Sequence, residues 1–359
     1  VSTPRFLSPL AFGLALMVSN TTPGAAVTAT TEPVGATSVA LLANSDTYVS
    51  VPFQRPAAFV GSVASVSGST IALTGSPGWS TNQFVYAAGT QPNTYYVFIR
   101  SGAKEGNYYT VTANSGNTLT LDLAGDSLGS LAAGDSVSVV PYWTLGTVFP
   151  ASDAGVSFSS SASPFSIQTS VLLPNLQGTG INLAASANYF FYNGAWRRVG
   201  QNLTLGKNDD ILVPDSYFIV RNAANAGTLT AMGGVIAQRV ATPFQTSAST
   251  RQDNAVALPR PIPVSLNDSG LIGSGAFAAS SSPFSLADMV LVFDNATAAK
   301  NKAASATYFY FNNAWRKVGA NLTQDFGATQ VFGPTAGIII RKSVSASGAS
   351  STWINSPTY

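Results

Sequence analysis

From residue 38 onward the chain alternates short apolar runs with clusters of Gly, Asn, Asp, Ser and Pro. The spacing, about 8–12 residues from run to run, is that of short strands joined by turns. Residues 61–66, 70–74, 95–100, 109–112 and 118–122 are such runs, rich in Val, Ile, Thr, Tyr and Phe. No segment carries a 3.6-residue apolar stripe with capping residues at both ends, so any helices are expected to be single turns. The pattern predicts an all-β protein.

The pattern also repeats. SANYFFYNGAWRRVGQNLT at 186–204 returns as SATYFYFNNAWRKVGANLT at 305–323, identical at 13 of 19 positions with an offset of 119. The offset extends back through SPFS segments at Ser163 and Ser282 to Phe158 and Phe277. After one inserted residue, SYFIVR ending at Arg221 matches AGIIIR ending at Arg341. Repetition at this length indicates one structural unit present twice.

Within the unit a hairpin can be read at residue level. Asn193-Gly194 suits a two-residue type I′ turn, which requires positive φ at both positions. The expected register opposes Tyr192 to Ala195, Phe191 to Trp196 and Phe190 to Arg197. Side-chain alternation then puts Tyr189, Phe191, Trp196 and Arg198 on one face and Phe190, Tyr192, Arg197 and Val199 on the other. In the second copy Asn312-Asn313 makes the turn, and Tyr308, Tyr310, Trp315 and Lys317 share a face. Both faces are aromatic, so both are expected to be covered.

A shorter motif, D-x-x-V-x-[VL]-P, occurs at Asp46 and Asp253, 112 residues before Phe158 but only 24 before Phe277. The 88-residue difference has the size of a small domain. The expected organisation is a tandem pair of β-sandwich or barrel-like domains, the first interrupted by an inserted small β-barrel or sandwich at 57–142. The first copy then covers 30–56 with 143–245, and the second 246–359.

Composition narrows the function classes. Charged residues make up 9% of the chain, against roughly 25% in an average soluble domain, and net charge is +2. No Lys/Arg run exceeds two residues, which argues against nucleic-acid binding. Hydrophobic content of 45%, with 11% aromatic, is enough to build cores. At the N-terminus, Arg5, the apolar run 10–18 and small residues at Gly24-Ala25-Ala26 or Val27-Thr28-Ala29 follow the order of a secretory signal peptide, assigned to 1–29. No later stretch reaches 18 apolar residues, so no transmembrane helix is expected in the mature chain.

The chain has no Cys and no His. Disulfides, thiol chemistry, Ser-His-Asp triads and ordinary zinc sites are thereby excluded. Only two Glu occur, Glu32 and Glu105, and most of the 13 Asp lie in turn contexts. No catalytic centre, metal or cofactor is expected. Asn208-Asp209-Asp210 and Asn267-Asp268 offer oxygen ligands of the type calcium takes, but in no known loop spacing. The best binding candidates are Trp196, Trp315, Tyr189 and Tyr308, as platforms for sugar rings. The competing reading is core packing, with Arg197 and Arg316 lying over Phe190 and Phe309 by cation–π contact.

Longer segments carry a resemblance. DTYVSVPFQRP, YTVTANSGNTLTLDLAGD, LAAGDSVSVVPYWTLGTVFP, DNAVALPRP and NKAASATYFYFNNAWRKVG resemble a paralogous family of secreted proteins from verrucomicrobial bacteria. That family has no assigned activity and no designated site residues; the resemblance implies export and a cell-envelope or extracellular setting. The function expected is a secreted, cell-surface or extracellular structural and interaction protein without catalysis, self-associating through exposed edge strands or contacting envelope polysaccharide. A carbohydrate-binding protein is the first alternative and an Asp-dependent glycoside hydrolase the second.

Overall fold

The first copy opens with strands β1 (Val34–Leu41) and β2 (Asp46–Val49). The structure, a computed structural model, describes residues 32–345 and 351–359. The expected export signal at 1–29 lies outside the described residues.

Six strands follow and close on themselves: β3 (Phe59–Ser67), β4 (Thr70–Leu73), β5 (Tyr95–Ile99), β6 (Tyr108–Asn114), β7 (Thr118–Asp122) and β8 (Ser136–Pro141). Around the barrel their order is β3-β4-β7-β6-β5-β8. Register shifts between Val63 and Ser65 and between Val111 and Ala113 break the ladders of β3 and β6. Such irregularities add the bend and twist that closure requires. Val97, Ile99, Leu119, Leu121, Val137 and Val139 fill the interior. The outer faces of β5 and β8 are also apolar: Tyr96, Phe98 and Val140, with Tyr142, pack on Ile236. These strands are therefore buried on both sides, and the barrel docks through them.

The chain then returns to the first copy. β9 (Trp143–Thr144) leads into one turn of helix, α1 (Leu145–Val148), capped by the side chain of Thr144. β10 (Thr169–Leu173), β11 (Ala187–Tyr192), β12 (Ala195–Arg198), β13 (Ile211–Leu212), β14 (Phe218–Asn222) and β15 (Gly227–Gly234) complete it. One sheet has the order β12-β11-β10-β14-β2, so the strand that precedes the barrel pairs with one that lies far beyond it. β1 and β15 form a ribbon that contributes Leu41, Leu229 and Ala231 to the core beneath Val171, Phe191, Trp196 and Val220.

The second copy repeats this plan without the barrel, and it begins earlier than the expected boundary at 246, because residues 240–244 pair with 351–355 and Phe244 packs in its core. Its strands are β16 (Val240–Phe244), β17 (Gln252–Ala257), β18 (Met289–Val292), β19 (Ala306–Phe311), β20 (Ala314–Lys317), β21 (Gly337–Lys342) and β22 (Ser351–Asn355). The sheet order is β20-β19-β18-β21-β17, and β16 pairs with β22 as the ribbon. Phe244 and Trp353 from the ribbon pack with Val256, Val290, Trp315 and Ile340. Residues Pro33–Tyr359 form one compact unit.

The copies hold each other reciprocally. Arg221 donates from Nε and Nη2 to Asp46 at 2.6 and 2.7 Å, and its Nη2 also reaches Asn301 Oδ1 of the other copy at 2.6 Å. Arg341 makes the matching pair with Asp253, at 2.7 and 2.9 Å, and reaches Asn182 at 2.9 Å. Asn182 and Asn301 stand at the repeat offset of 119. Each donates its backbone N–H to the aspartate opposite, at 2.8 and 2.7 Å. The Asp46 N–H donates to Ala299 O, as the Asp253 N–H does to Gly180 O. Farther along, Ser50 donates to Thr335 O and Ala257 to Asp215 O. This is the pattern of an isologous dimer interface, in which each partner uses the same surface.

The outer backbone groups of β2 and β17 are occupied in this way. At the other ends of the sheets, Lys207 N–H donates to Trp196 O on β12, and Phe326 N–H to Trp315 O on β20, both at 2.9 Å. The terminal strands of the two five-stranded sheets are thus covered rather than open, unlike the exposed edges expected from the sequence. The local reason is that polar loops cross them: 293–301 and 174–182 at β2 and β17, and residues 207–208 and 325–326 at β12 and β20.

One buried position is solved differently in the two copies. In the first, Thr169 Oγ1 donates to Asn222 Oδ1 at 2.8 Å and accepts from Ser159 N–H at 2.9 Å. In the second, the equivalents are Asp288 and Lys342, a buried ion pair; Asp288 also accepts from Ala278 N–H at 2.7 Å and Ser343 N–H at 2.7 Å. Breaking such a pair strands a charge, whereas replacing both members leaves none. Lys342→Asn alone is expected to cost about 3–5 kcal/mol. Adding Asp288→Thr, which reproduces the first copy, should recover most of it. Urea unfolding of the two variants measures both; equal losses would refute the account.

Candidate functional site

The hairpin register is the one expected: Tyr192 opposes Ala195, Phe191 opposes Trp196 and Phe190 opposes Arg197. Asn193 and Gly194 have φ of 48° and 75°, and Asn312 and Asn313 have 51° and 56°. Both turns are therefore left-handed at the two central positions, the geometry that Asn and Gly tolerate.

The four platform candidates face inward. Trp196, Trp315, Tyr189 and Tyr308 are 0%, 1%, 3% and 6% exposed. Trp196 packs against Phe158 and Phe149 at 5.0 and 5.6 Å and donates from Nε1 to Phe149 O at 3.0 Å. Trp315 packs against Phe277 at 5.1 Å. The Tyr189 hydroxyl donates to Asp210 at 2.7 Å. No ring face is left for a sugar, so these residues are corrected from binding candidates to core. The physical reason is the ribbon and loop 149–158, which close over this face of the sheet. Arg197 also differs from expectation: it laces the hairpin by donating to Tyr192 O, Asn193 O and Thr204 O.

The oxygen-rich loops are likewise engaged. Asn208 accepts from Trp196 N–H at 2.9 Å, Asp209 from the Tyr86 hydroxyl at 3.3 Å, and Asp268 from Ser265 Oγ at 2.5 Å. Among the described residues no three acidic side chains converge as a metal site.

Asp215, one of the aspartates in a turn context, is half-buried, with its carboxyl turned toward the barrel. It sits where the barrel meets the first copy, accepting the Tyr108 hydroxyl at 2.7 Å. The rings of Tyr96 and Tyr142 meet Tyr108 edge to face, and a void of about 10 Å³ lies among Gln54, Tyr96, Tyr108 and Asp215, room for about one water. Burial raises the Asp215 carboxyl above its ordinary value, with the Tyr108 hydrogen bond opposing in part. Burial and the adjacent Asp215 raise the Tyr108 phenol well above its usual range.

A cavity of about 260 Å³ opens between the end of β10, loop 174–177 and the segment running into β14. Leu173, Pro174, Leu176, Leu212, Val213 and Tyr217 supply its apolar wall. One of its lining residues, Pro174, differs in kind between the copies. In the second copy the equivalent of Pro174 is Phe293, whose ring stacks on Tyr48 at 3.9 Å with 2° between planes. In the first copy both rings are missing, because Pro174 replaces Phe293 and Ala255 replaces Tyr48. Tyr217 in turn stands where the second copy has Gly337, and a Cβ at Gly337 would lie 2.5 Å from the Tyr217 ring. The aromatic content of the seam is thus distributed unequally between its two halves.

The SPFS segments present the opposite feature. Phe165 is 97% exposed and Phe284 92%. Each occupies the third position of a tight turn behind a proline. The first turn is closed by Ser166 N–H to Ser163 O at 3.2 Å, with Phe165 N–H held by Ser163 Oγ at 3.2 Å. The second repeats this at 3.3 and 3.2 Å. Ser161 and Ser280 anchor the bases to the hairpins at Phe191 O and Tyr310 O. A fully exposed phenyl ring forgoes roughly 1.5–3 kcal/mol of burial. The SPFS motif was visible in the sequence as a match between copies, but nothing in it announced that the ring points outward.

None of the protein-family models, curated proteins or solved structures compared with it matches the chain.

The buried carboxyl yields a sign-definite prediction. Because the folded value of Asp215 is raised, its contribution to stability is fully present below the ordinary carboxylate value and is lost as pH rises through the folded value. Asp215→Asn keeps an acceptor for Tyr108 without the charge. It should raise stability at neutral pH and flatten the pH dependence above about pH 4. Thermal denaturation between pH 3 and 8 tests this; an Asn variant that is less stable at pH 7 would contradict it.

Proposed function

We propose that this chain is an exported, non-catalytic structural and interaction protein of the cell surface or extracellular space, and that it associates with itself. The observation that carries this reading is the pair of turn-locked, solvent-facing phenylalanines, Phe165 and Phe284, built by the same hydrogen bonds in both copies. A ring carried on a hydrogen-bonded turn makes sense as a contact element, since the backbone entropy of that turn is already spent before any partner arrives. The low charge of the chain supports the same reading, because close approach of copies meets little Coulomb repulsion. Export is supported by the n-, h- and c-region order at 1–29 and by a fold that needs no cysteine. Tandem duplication is supported by the shared strand order and the reciprocal Asp-Arg-Asn contacts.

The buried tryptophans give the carbohydrate reading no support. The carboxylates at Asp46, Asp253 and Asp288 are in ion pairs with Arg221, Arg341 and Lys342, so the hydrolase reading gains none either.

The purified mature chain should scatter light as a concentration-dependent assembly and show ordered particles by electron microscopy. A chain that stays strictly monomeric up to millimolar concentration would end this reading.

A further inference from the structure

The molecule carries an aromatic knob and, elsewhere, a cavity that lacks an aromatic ring. We propose that the cavity beside loop 174–177 is a receptor for a phenyl side chain, and that its occupant is the Phe165 or Phe284 turn of a second copy of this chain. The inference rests on the self-association proposed above and names its contact.

The first support is chemical and internal to the fold. At the equivalent place in the second copy, the chain fills the seam with a phenyl ring, Phe293 on Tyr48. In the first copy Pro174, which stands at the corresponding position and lines the cavity, brings no ring of its own. The second support is size: an engineered cavity of about 150 Å³ accepts benzene, and this one measures about 260 Å³. Its wall is mostly aliphatic and aromatic, with Ser186 at the rim as an exposed polar residue. The third is continuity with an existing interface, since Tyr217 both lines the cavity and packs at the seam between copies with Tyr48 and Ala257.

The contact must be between molecules. Both rings are almost fully exposed in their own chain, so neither occupies the cavity there. The Phe165 turn precedes β10 and the cavity loop follows it, placing them at opposite ends of a five-residue strand, on the order of 15 Å apart. Knob and receptor are different surfaces, so the association is head-to-tail and open-ended rather than a closed two-fold dimer.

The test has two arms. The tetrapeptide acetyl-Ser-Pro-Phe-Ser-amide is titrated into the Phe165→Ser, Phe284→Ser chain and followed by methyl NMR. Shifts confined to Leu173, Leu176, Leu212 and Val213 are expected, with none from a peptide bearing Ser in place of Phe. Shifts elsewhere, or none, overturn the inference. In the second arm, Pro174→Phe puts a ring on a residue that lines the cavity. Ser186→Trp, at an exposed rim position, is an independent block that does not depend on core repacking. Each block, and the double Phe→Ser substitution, should abolish the assembly seen by light scattering. Assembly that survives the blocks sinks the knob-and-receptor contact while leaving self-association standing. A wild-type chain that never assembles removes self-association itself, and with it the second copy as occupant.

Discussion

The bidentate capture of Asp46 by Arg221, and of Asp253 by Arg341, is the contact on which the rest of the structure depends. Each pair locks a short strand, β2 or β17, onto the end of its own sheet. Each then uses its remaining guanidinium and carboxylate capacity to hold a loop from the other copy. A four-residue strand such as β2 gains few ladder bonds, and a 57–142 barrel must be accommodated immediately after it. Without the partner loop, the outer N–H and C=O groups of β2 would be an open edge, a template for uncontrolled pairing. The arrangement satisfies those groups inside one chain, so the copies act as each other's edge protection.

Much of this was readable before the structure, and the readable parts share a cause. The hairpin register followed from Asn193-Gly194, because a two-residue turn leaves no freedom in pairing. That β2 belongs with β14 and not with the barrel was implied by the unequal spacing of the Asp46 and Asp253 motifs, and the pairing Asp46–Arg221 has its counterpart in Asp253–Arg341. What could not be read depends on which face is covered. Trp196 with Tyr189 makes the same sequence pattern as an exposed sugar platform; only the ribbon β1–β15 and loop 149–158 decide that it is core. Asp215 looked like a turn residue, and it is one, but the barrel lands on top of it. The cavity was hidden for a different reason: it depends on how loop 174–177 lies against residues 211–218, which no sequence pattern draws.

The copies also serve as a controlled comparison of how one fold spends polarity in its interior. Thr169 with Asn222 and Asp288 with Lys342 occupy the same place, bind the same backbone N–H from Ser159 or Ala278, and differ by a full ion pair. Desolvating two charges costs several kcal/mol per ion before their attraction returns anything. The charged version persists where additional donors, Ser343 N–H and Oγ, share the load on the carboxylate. The site thus requires one acceptor for the N–H of residue 159 or 278 and a polar partner for that side chain, which accepts in Asn222 and donates in Lys342; the charge state is secondary.

Edge protection and exposed knobs are linked consequences of this design. The five-stranded sheets, with two terminal strands engaged by the other copy and two by loops of their own, leave little backbone there for added strands. Association through side chains is the alternative, and the most exposed large apolar side chains among the described residues are Phe165 and Phe284. Backbone pairing between sheets would be register-tolerant and hard to limit, whereas a single ring entering a shaped cavity is specific in position and weak enough to reverse. The near-symmetric seam bears on this too. Perfect two-fold symmetry would have filled both halves alike, as Phe293 and Tyr48 fill one. Pro174 and Ala255 break that symmetry, and beside Pro174 the first copy keeps an opening, which is how a fold built on reciprocal closure can still offer a directional surface.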